Sequence, residues 1–272
     1  MPPLSRWAQT RRFMGDPISL LTEGREACGD VFMLNFLGLG PWIFVSSPEA
    51  VREVFKAPRD VLGAGDIHYR MLGGLFGRHA IFTLDGEPHR QRQRLVMPKL
   101  NGAVVDEYVD LMVQVAEKAA DSWTLGNPFS MLPIAHRMAL DILVGIVFGQ
   151  HDTERSRRLS DQFHRFSEDG TRSLLIRMPW LQIDLGRYSP WGRVLRLRDE
   201  TREVFRRALH DATERTPMLD ALMGAGEEQQ VLSDDDRLDE ITTLLFAGHE
   251  TTGTVLTWAL ESVLSRPKVY DR

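Results

Sequence analysis

The chain has a single cysteine, Cys28, in 272 residues. An internal disulfide framework is therefore excluded, and the composition suits a reducing compartment. Basic excess is also missing, since 33 Lys and Arg stand against 38 Asp and Glu, giving a formal net charge of −5 and a pI near 5.9. Neutralising a phosphate backbone needs the opposite balance, so a general nucleic-acid binder is excluded. No run reaches about 18 consecutive apolar residues, and the opening Met1-Pro2-Pro3-Leu4-Ser5-Arg6-Trp7 has no apolar signal core. The expectation is a cytoplasmic chain without a transmembrane segment. Internal repeats and low-complexity blocks are absent as well. What remains is 43% hydrophobic and 26% charged, ordinary for a globular protein with one large core or two small ones.

Helical periodicity dominates, and the expected fold is mainly α with a small N-terminal β element. An amphipathic lead over Ser19 to Glu26 precedes two short apolar runs, Val31 to Phe36 and Trp42 to Val45, separated by Gly38, Leu39, Gly40 and Pro41. That spacing predicts a hairpin. Ser47-Pro48-Glu49 supplies an N-cap, a proline at the first helical position and an acid, so a helix is expected through about Ala57. The glycine-rich stretch Gly63 to Arg78 reads as irregular. Further helices are expected at about Glu87 to Lys99, Val104 to Trp123, Leu132 to Phe148, Arg155 to Ser167 and Trp191 to Ala212. The region around Met178 to Tyr188 reads as an aromatic loop, and Met218 to Glu228 as a connector.

The last long helix opens at Ser233 with Asp234, Asp235 and Asp236 in its first turn, where acids complement the helix dipole, and runs to about Leu264. Apolar residues leave it no continuous polar stripe, which predicts a buried central helix roughly 45 Å long. Ala247-Gly248-His249-Glu250-Thr251-Thr252 interrupts it. Buried polar groups cost about 1–3 kcal/mol each when unpaired, so this interruption asks for a use. Ala247, Thr251 and Val255 share one face with Glu250 beside them, so a flat ligand lying over Ala247 and Gly248 would meet a hydroxyl and a carboxyl. The plainer alternative is that the threonines bond back to carbonyls one turn earlier and Glu250 is salt-bridged elsewhere. A zinc-protease reading of His249-Glu250 needs a second histidine at position 253, which is Gly.

The hexapeptide resembles the Ala-Gly-x-(Asp/Glu)-Thr signature on the central helix of cytochrome P-450 haem-thiolate monooxygenases. Gly29-Asp30-Val31-Phe32, Ser47-Pro48-Glu49-Ala50-Val51 and Val147-Phe148-Gly149 resemble pieces of the same family in the same order. The likeness implies haem as cofactor, Ala247 and Gly248 lining the oxygen pocket, and Glu250 with Thr251 as the acid–alcohol pair that delivers protons there. Asp85 to Pro98 resembles the family helix that holds the haem propionates, and His89 takes its expected place. Gln93 stands where the partnering Arg belongs, with Arg92 one position before and Arg94 one position after, either long enough to reach a propionate. A solvent-facing basic helix, or one that docks a redox partner through Arg90 and Arg92, is the alternative.

The family's iron ligand is a cysteine in a loop beyond the central helix. Cys28 does not match that loop: Leu21 stands where Phe belongs, Asp30 where the final Gly belongs, and a strand follows. It reads as a small buried or half-buried residue, so the thiolate ligand is not present in this chain. The Glu-x-x-Arg spacings at Glu154/Arg157 and Glu203/Arg206 precede the central helix and read as ordinary charge neighbours, and Arg193 to Arg207 as a solvated basic face. Arg266 to Arg272 opens like a new helix and stops after about one and a half turns. Residues 1–272 are accordingly expected to form a single, incomplete P-450 domain. The implied activity is oxygen insertion into a small apolar organic substrate with electrons from a ferredoxin/reductase-type donor. The competing expectation is a truncated, haem-free remnant that at most binds an apolar ligand or partner.

Overall fold

The computed structural model describes residues 4–58, 61–149, 153–171, 182–212, 215–224, 232–266 and 269. They form α1 (Arg6–Gly15), α2 (Pro17–Cys28), β1 (Val31–Phe36), β2 (Gly40–Val45), α3 (Pro48–Lys56), α4 (Gly65–Phe76), α5 (Gly86–Val96), α6 (Gly102–Val105), α7 (Val109–Asp121), α8 (Met131–Phe148), α9 (Glu154–Thr171), α10 (Pro190–His210), α11 (Pro217–Met223) and α12 (Asp234–Leu264). The fold is mainly α with a two-stranded sheet, as expected. The chain divides into two compact units, Met1–Gly63 with Leu174–Ile183, and Ala64–Ser173 with Asp184–Arg272.

In the first unit β1 and β2 pair antiparallel, with Phe32 opposite Phe44 and Leu34 opposite Trp42. Alternation sends Phe32, Leu34 and Phe36 inward onto Leu20 of α2 and Phe13 of α1, leaving Val31 and Met33 exposed. Helix α1 has no counterpart in the sequence reading. Its first turn is capped by Ser5, and Gln9 fastens it by accepting from the Asn35 amide (2.6 Å) and donating to the Leu4 carbonyl (2.7 Å). Cys28, expected to be buried or half-buried, is exposed at the end of α2, where Gly29 (φ 88°) turns the chain into β1.

The second unit is built around α8 and α12. Ser233 and Asp236 form a capping box at the start of α12, as the sequence implies, and Leu238, Ile241 and Leu245 are fully buried. The expectation of burial along the whole helix fails beyond Glu250: Val255 and Trp258 are each 68% exposed. Beyond that point the helix meets α8 closely at Gly253. A Cβ there would lie 2.7 Å from the His136 backbone nitrogen of α8. Helix α8 is the one described helix long and apolar enough to cross a membrane (mean hydropathy 1.7), yet it carries an Arg137–Asp141 ion pair (3.0 Å) and packs on α12.

The stretch Gly63 to Arg78, read as irregular, contains α4. The Asp85 carboxylate accepts from the amides of Ala64 (3.0 Å) and Gly65 (2.9 Å), capping that helix from outside. Tertiary contact overrides the poor helix propensity of glycine here, because Gly74 leaves space for Trp191, whose ring would lie 2.5 Å from any Cβ. The proposed connector contains most of α11, and its residues 225–228 lie outside the described residues, as do 178–181 of the aromatic loop and 267–268 and 270–272 of the terminal stretch. Arg198 and Arg202 on α10 are not a solvated face. Arg198 donates to the Gly74 carbonyl (2.7 Å), and Arg202 pairs with Asp235 (2.8 Å) and Asp239.

Candidate functional site

Helix α12 carries the hexapeptide at the point where its buried half gives way to its exposed half. Ala247, Gly248 and Glu250 are half-buried, His249 is buried, and Thr251 and Thr252 are exposed. The helix period separates these neighbours: His249 faces α8 and α9, while Ala247 and Thr251 lie on another side, one turn apart. Gly248 sits against Leu143 of α8, whose Cδ1 would lie 2.7 Å from an added Cβ, so its smallness serves helix packing. Ahead of Ala247, Phe246 meets Phe76 of α4 (ring centroids 4.6 Å), and Phe76 meets Phe82 (6.4 Å), lining this stretch of α12 with aromatic surface.

The Thr251 hydroxyl donates to the Ala247 carbonyl (2.5 Å), the back-bond of the plainer sequence reading. It keeps both oxygen lone pairs as acceptors. The salt bridge which that reading gave Glu250 is not found: the carboxylate makes no ion pair among the described residues, although it is half-buried.

His249 is the residue whose role the sequence does not disclose. Its Nδ1 lies 2.7 Å from the Leu245 carbonyl, an acceptor only, so Nδ1 bears the proton. Nε2 then accepts from the buried Ser167 hydroxyl of α9 (3.2 Å). Burial pushes the imidazole below its ordinary value, more strongly than the Leu245 carbonyl and Glu250 raise it, and the ring of Phe163 packs edge-on at 5.5 Å. The sequence signal is faint: a histidine at a position that otherwise carries apolar residues on this face.

On α5 the three candidate cations separate. His89 is half-buried, Arg94 is exposed beside Glu87 (3.6 Å), and Arg92 is buried, turned toward α12. The Arg92 guanidinium lies 3.5 Å from Asp236 Oδ1 and 3.6 Å from Glu240 Oε2, and donates to the Asp236 carbonyl (3.4 Å). Arg92 and Arg94 are about 200° apart round the helix, so one cannot face a ligand on the side of the other. Burial raises the Glu240 carboxyl to about 7, against the pull of Arg92 and the Ile81 amide and with the help of Asp239 and Asp236.

The donor chemistry fits haem in part. Ala247, Glu250 and Thr251 would give a flat ligand a small residue, an acid and an alcohol, and His89 or Arg94 would supply a cation to its carboxylates. Cys28, the one cysteine of these 272 residues, belongs to the first unit. Among the described residues no cluster of His, Cys, Asp and Glu is arranged to hold a metal ion. A cavity of about 690 Å³ between α7, α8 and α9, lined by Gln114, Met138, Arg137, Asp141 and Arg157, includes none of the hexapeptide.

A family model described as "Cytochrome P450" matches residues 4–272. A Mycobacterium tuberculosis protein named for cytochrome P450 137 is 33% identical over 251 residues, covering 90% of this chain and 52% of that protein. One from Mycobacterium bovis named for cytochrome P450 135B1 is 28% identical, covering 98% of this chain and 57% of its own length. Among solved structures, retinoic-acid-bound cyanobacterial CYP120A1 superimposes with a TM-score of 0.73 at 22% identity, over 91% of this chain and 55% of that one. The haem domain of cytochrome P450DA gives 0.71 at 19%, over 99% and 60%. This chain spans about half the length of the curated relatives it matches.

Proposed function

The chain belongs to the cytochrome P450 family, and from that premise we propose that it carries the oxygen-side wall and one carboxylate-binding edge of a haem-dependent monooxygenase. Haem, when bound, supplies the activation of dioxygen that side chains cannot perform. The chain's own part is to shape and to move a proton. Ala247 keeps the face low, and Glu250, which makes no ion pair among the described residues, supplies a carboxyl that can relay a proton. Thr251 Oγ receives the proton on a free lone pair and passes its own on by swinging off the Ala247 carbonyl. Phe246, Phe76 and Phe82 support an apolar organic substrate. His89 and Arg94 would meet the propionates, and electrons would come from a separate ferredoxin/reductase-type donor in the cytoplasm. Both compact units are taken as parts of one family domain.

The observation that carries this reading is an acid with no ion pair among the described residues beside an exposed alcohol, at the point where the packed half of α12 ends. A second reading, a haem-free remnant without catalysis, is favoured by the exposed position of the chain's only thiol at the end of α2. Haemin titration followed by a reduced carbon monoxide difference spectrum separates the two. A thiolate-type Soret band supports the monooxygenase in this chain, and absence of any haem uptake supports the remnant. In haem-loaded, active protein, Thr251→Ala should uncouple reductant consumption from product, and unchanged coupling would remove the proton-relay role.

A further inference from the structure

Helix α12 buries two adjacent carboxylates, Asp239 (2% exposed) and Glu240 (fully buried). Two adjacent buried acids on one turn are costly unless each is matched by cations and donors. Both reach the segment between α4 and α5: Asp239 accepts from the His79 amide (3.1 Å) and Glu240 from the Ile81 amide (3.1 Å). Each also faces an arginine from a different helix, Asp239 facing Arg202 of α10 and Glu240 facing Arg92 of α5. Gly77 (φ 86°) begins this segment against the Asp239 carboxylate, and a side chain at that position would collide with it. One Glu240 oxygen, Oε1, has no hydrogen-bond partner among the described residues. Asp236 completes the group with Arg92 and the His79 imidazole (3.1 Å), while Asp235 pairs with Arg202 and lies 3.9 Å from Arg206.

We propose that Arg92 is a positioning residue: through Glu240 and Asp236 it fixes the rotation of α5 on α12 and the path of residues 77–81, directing Arg94, and not itself, toward a carboxylate-bearing ligand edge. The proposal deepens the haem-binding reading and rests on it for the identity of that edge. The positioning itself stands on the geometry. An arginine held by three acceptors on α12 is not available to a second anion without leaving the buried Glu240 and the half-buried Asp236 carboxylates under-compensated.

The 272-residue chain is compared with Arg92→Gln, Arg92→Lys, Glu240→Gln, the Arg92→Gln/Glu240→Gln pair and Arg94→Gln. Three readouts are followed: urea midpoint against pH, exchange of the Ile81 amide, and haemin titration. The raised Glu240 carboxyl stabilises the fold fully below about 4.5, and this contribution is lost as pH rises through about 7. Glu240→Gln should therefore flatten the midpoint over that window. Arg92→Gln should deepen the loss and speed Ile81 exchange at least tenfold, and the double variant should restore most of both. Arg94→Gln should leave both unchanged and weaken haemin uptake, while the double variant takes up haemin like the parent. If Arg92→Gln does not fold, Glu240→Gln decides through the pH profile. An unaltered profile in Glu240→Gln, or Arg92→Gln matching Arg94→Gln in all three readouts, overturns the proposal. A parent chain that takes up no haemin counts against the monooxygenase reading, and the profile and exchange still decide the positioning.

Discussion

His249 and Glu250 are consecutive and live in opposite surroundings. The histidine is clamped between the Leu245 carbonyl and the Ser167 hydroxyl, and burial holds its imidazole below its ordinary value. A depressed histidine stabilises the fold above about 6.5, and that contribution is lost as pH falls through the lower folded value, because the unfolded chain takes up the proton first. Glu240 acts in the reverse direction over an overlapping range, gaining stability as pH falls, so the parent profile should be flatter than either group alone would make it. His249→Phe should remove the acid-side loss that begins near 6.5 and cost about 0.5–1.5 kcal/mol at neutral pH for each hydrogen bond it removes, those to the Ser167 hydroxyl and the Leu245 carbonyl. Urea unfolding of the variant at pH values on both sides of that point checks this. A profile that keeps the parent's acid-side loss would show that another group titrates there.

At the scale of elements, α8 and α12 cross where side chains are smallest. Gly253 lies with its missing Cβ 2.7 Å from the His136 nitrogen and 2.8 Å from its Cα, so an alanine cannot be absorbed by a side-chain rotation. Gly253→Ala should gain about 1 kcal/mol of helix propensity and lose more to overpacking, typically about 1–3 kcal/mol. The expected net result is a lower melting temperature, whereas Gly15→Ala, with nothing within 4 Å of the added methyl, should not fall. A Gly253→Ala protein that melts above the parent would mean the helices separate freely. The same crossing explains what the sequence makes legible. The start of α12 is visible locally, since Ser233 and three acids are neighbours along the chain. Its loss of cover beyond Glu250 is not, because apolar pattern reports an appetite for burial and says nothing of what is present to satisfy it. Helix α4 hides behind its glycines because the partners that fill them, Trp191 above all, come from remote sequence. In the candidate site the acid–alcohol pair is readable as a motif. The orientation of Arg92 depends on carboxylates 144 and more residues away, and no local spacing discloses it.

For the whole molecule, the relevant quantity is apolar surface left to water. Single exposed apolar residues are ordinary, but the exposed half of α12 offers Val255 and Trp258 at a spacing of three, with Leu264 (66% exposed) further along. The first unit adds Phe55 on α3, 87% exposed, and Ile43 on β2, 70% exposed. Grouped apolar surface of this kind drives association when concentration rises. Charging the α12 face with Val255→Lys and Trp258→Glu should therefore lower self-association, while the free energy of unfolding changes by no more than about 0.5 kcal/mol per site, since neither side chain is buried. Phe55→Glu is the matching change on the other unit. Light scattering as a function of protein concentration, with urea unfolding as the control, distinguishes the two faces. If only Phe55→Glu reduces association, the first unit supplies the sticky surface. If the α12 pair reduces it, the side of the helix that carries Thr251 is also the one that the other described residues of the second unit leave open.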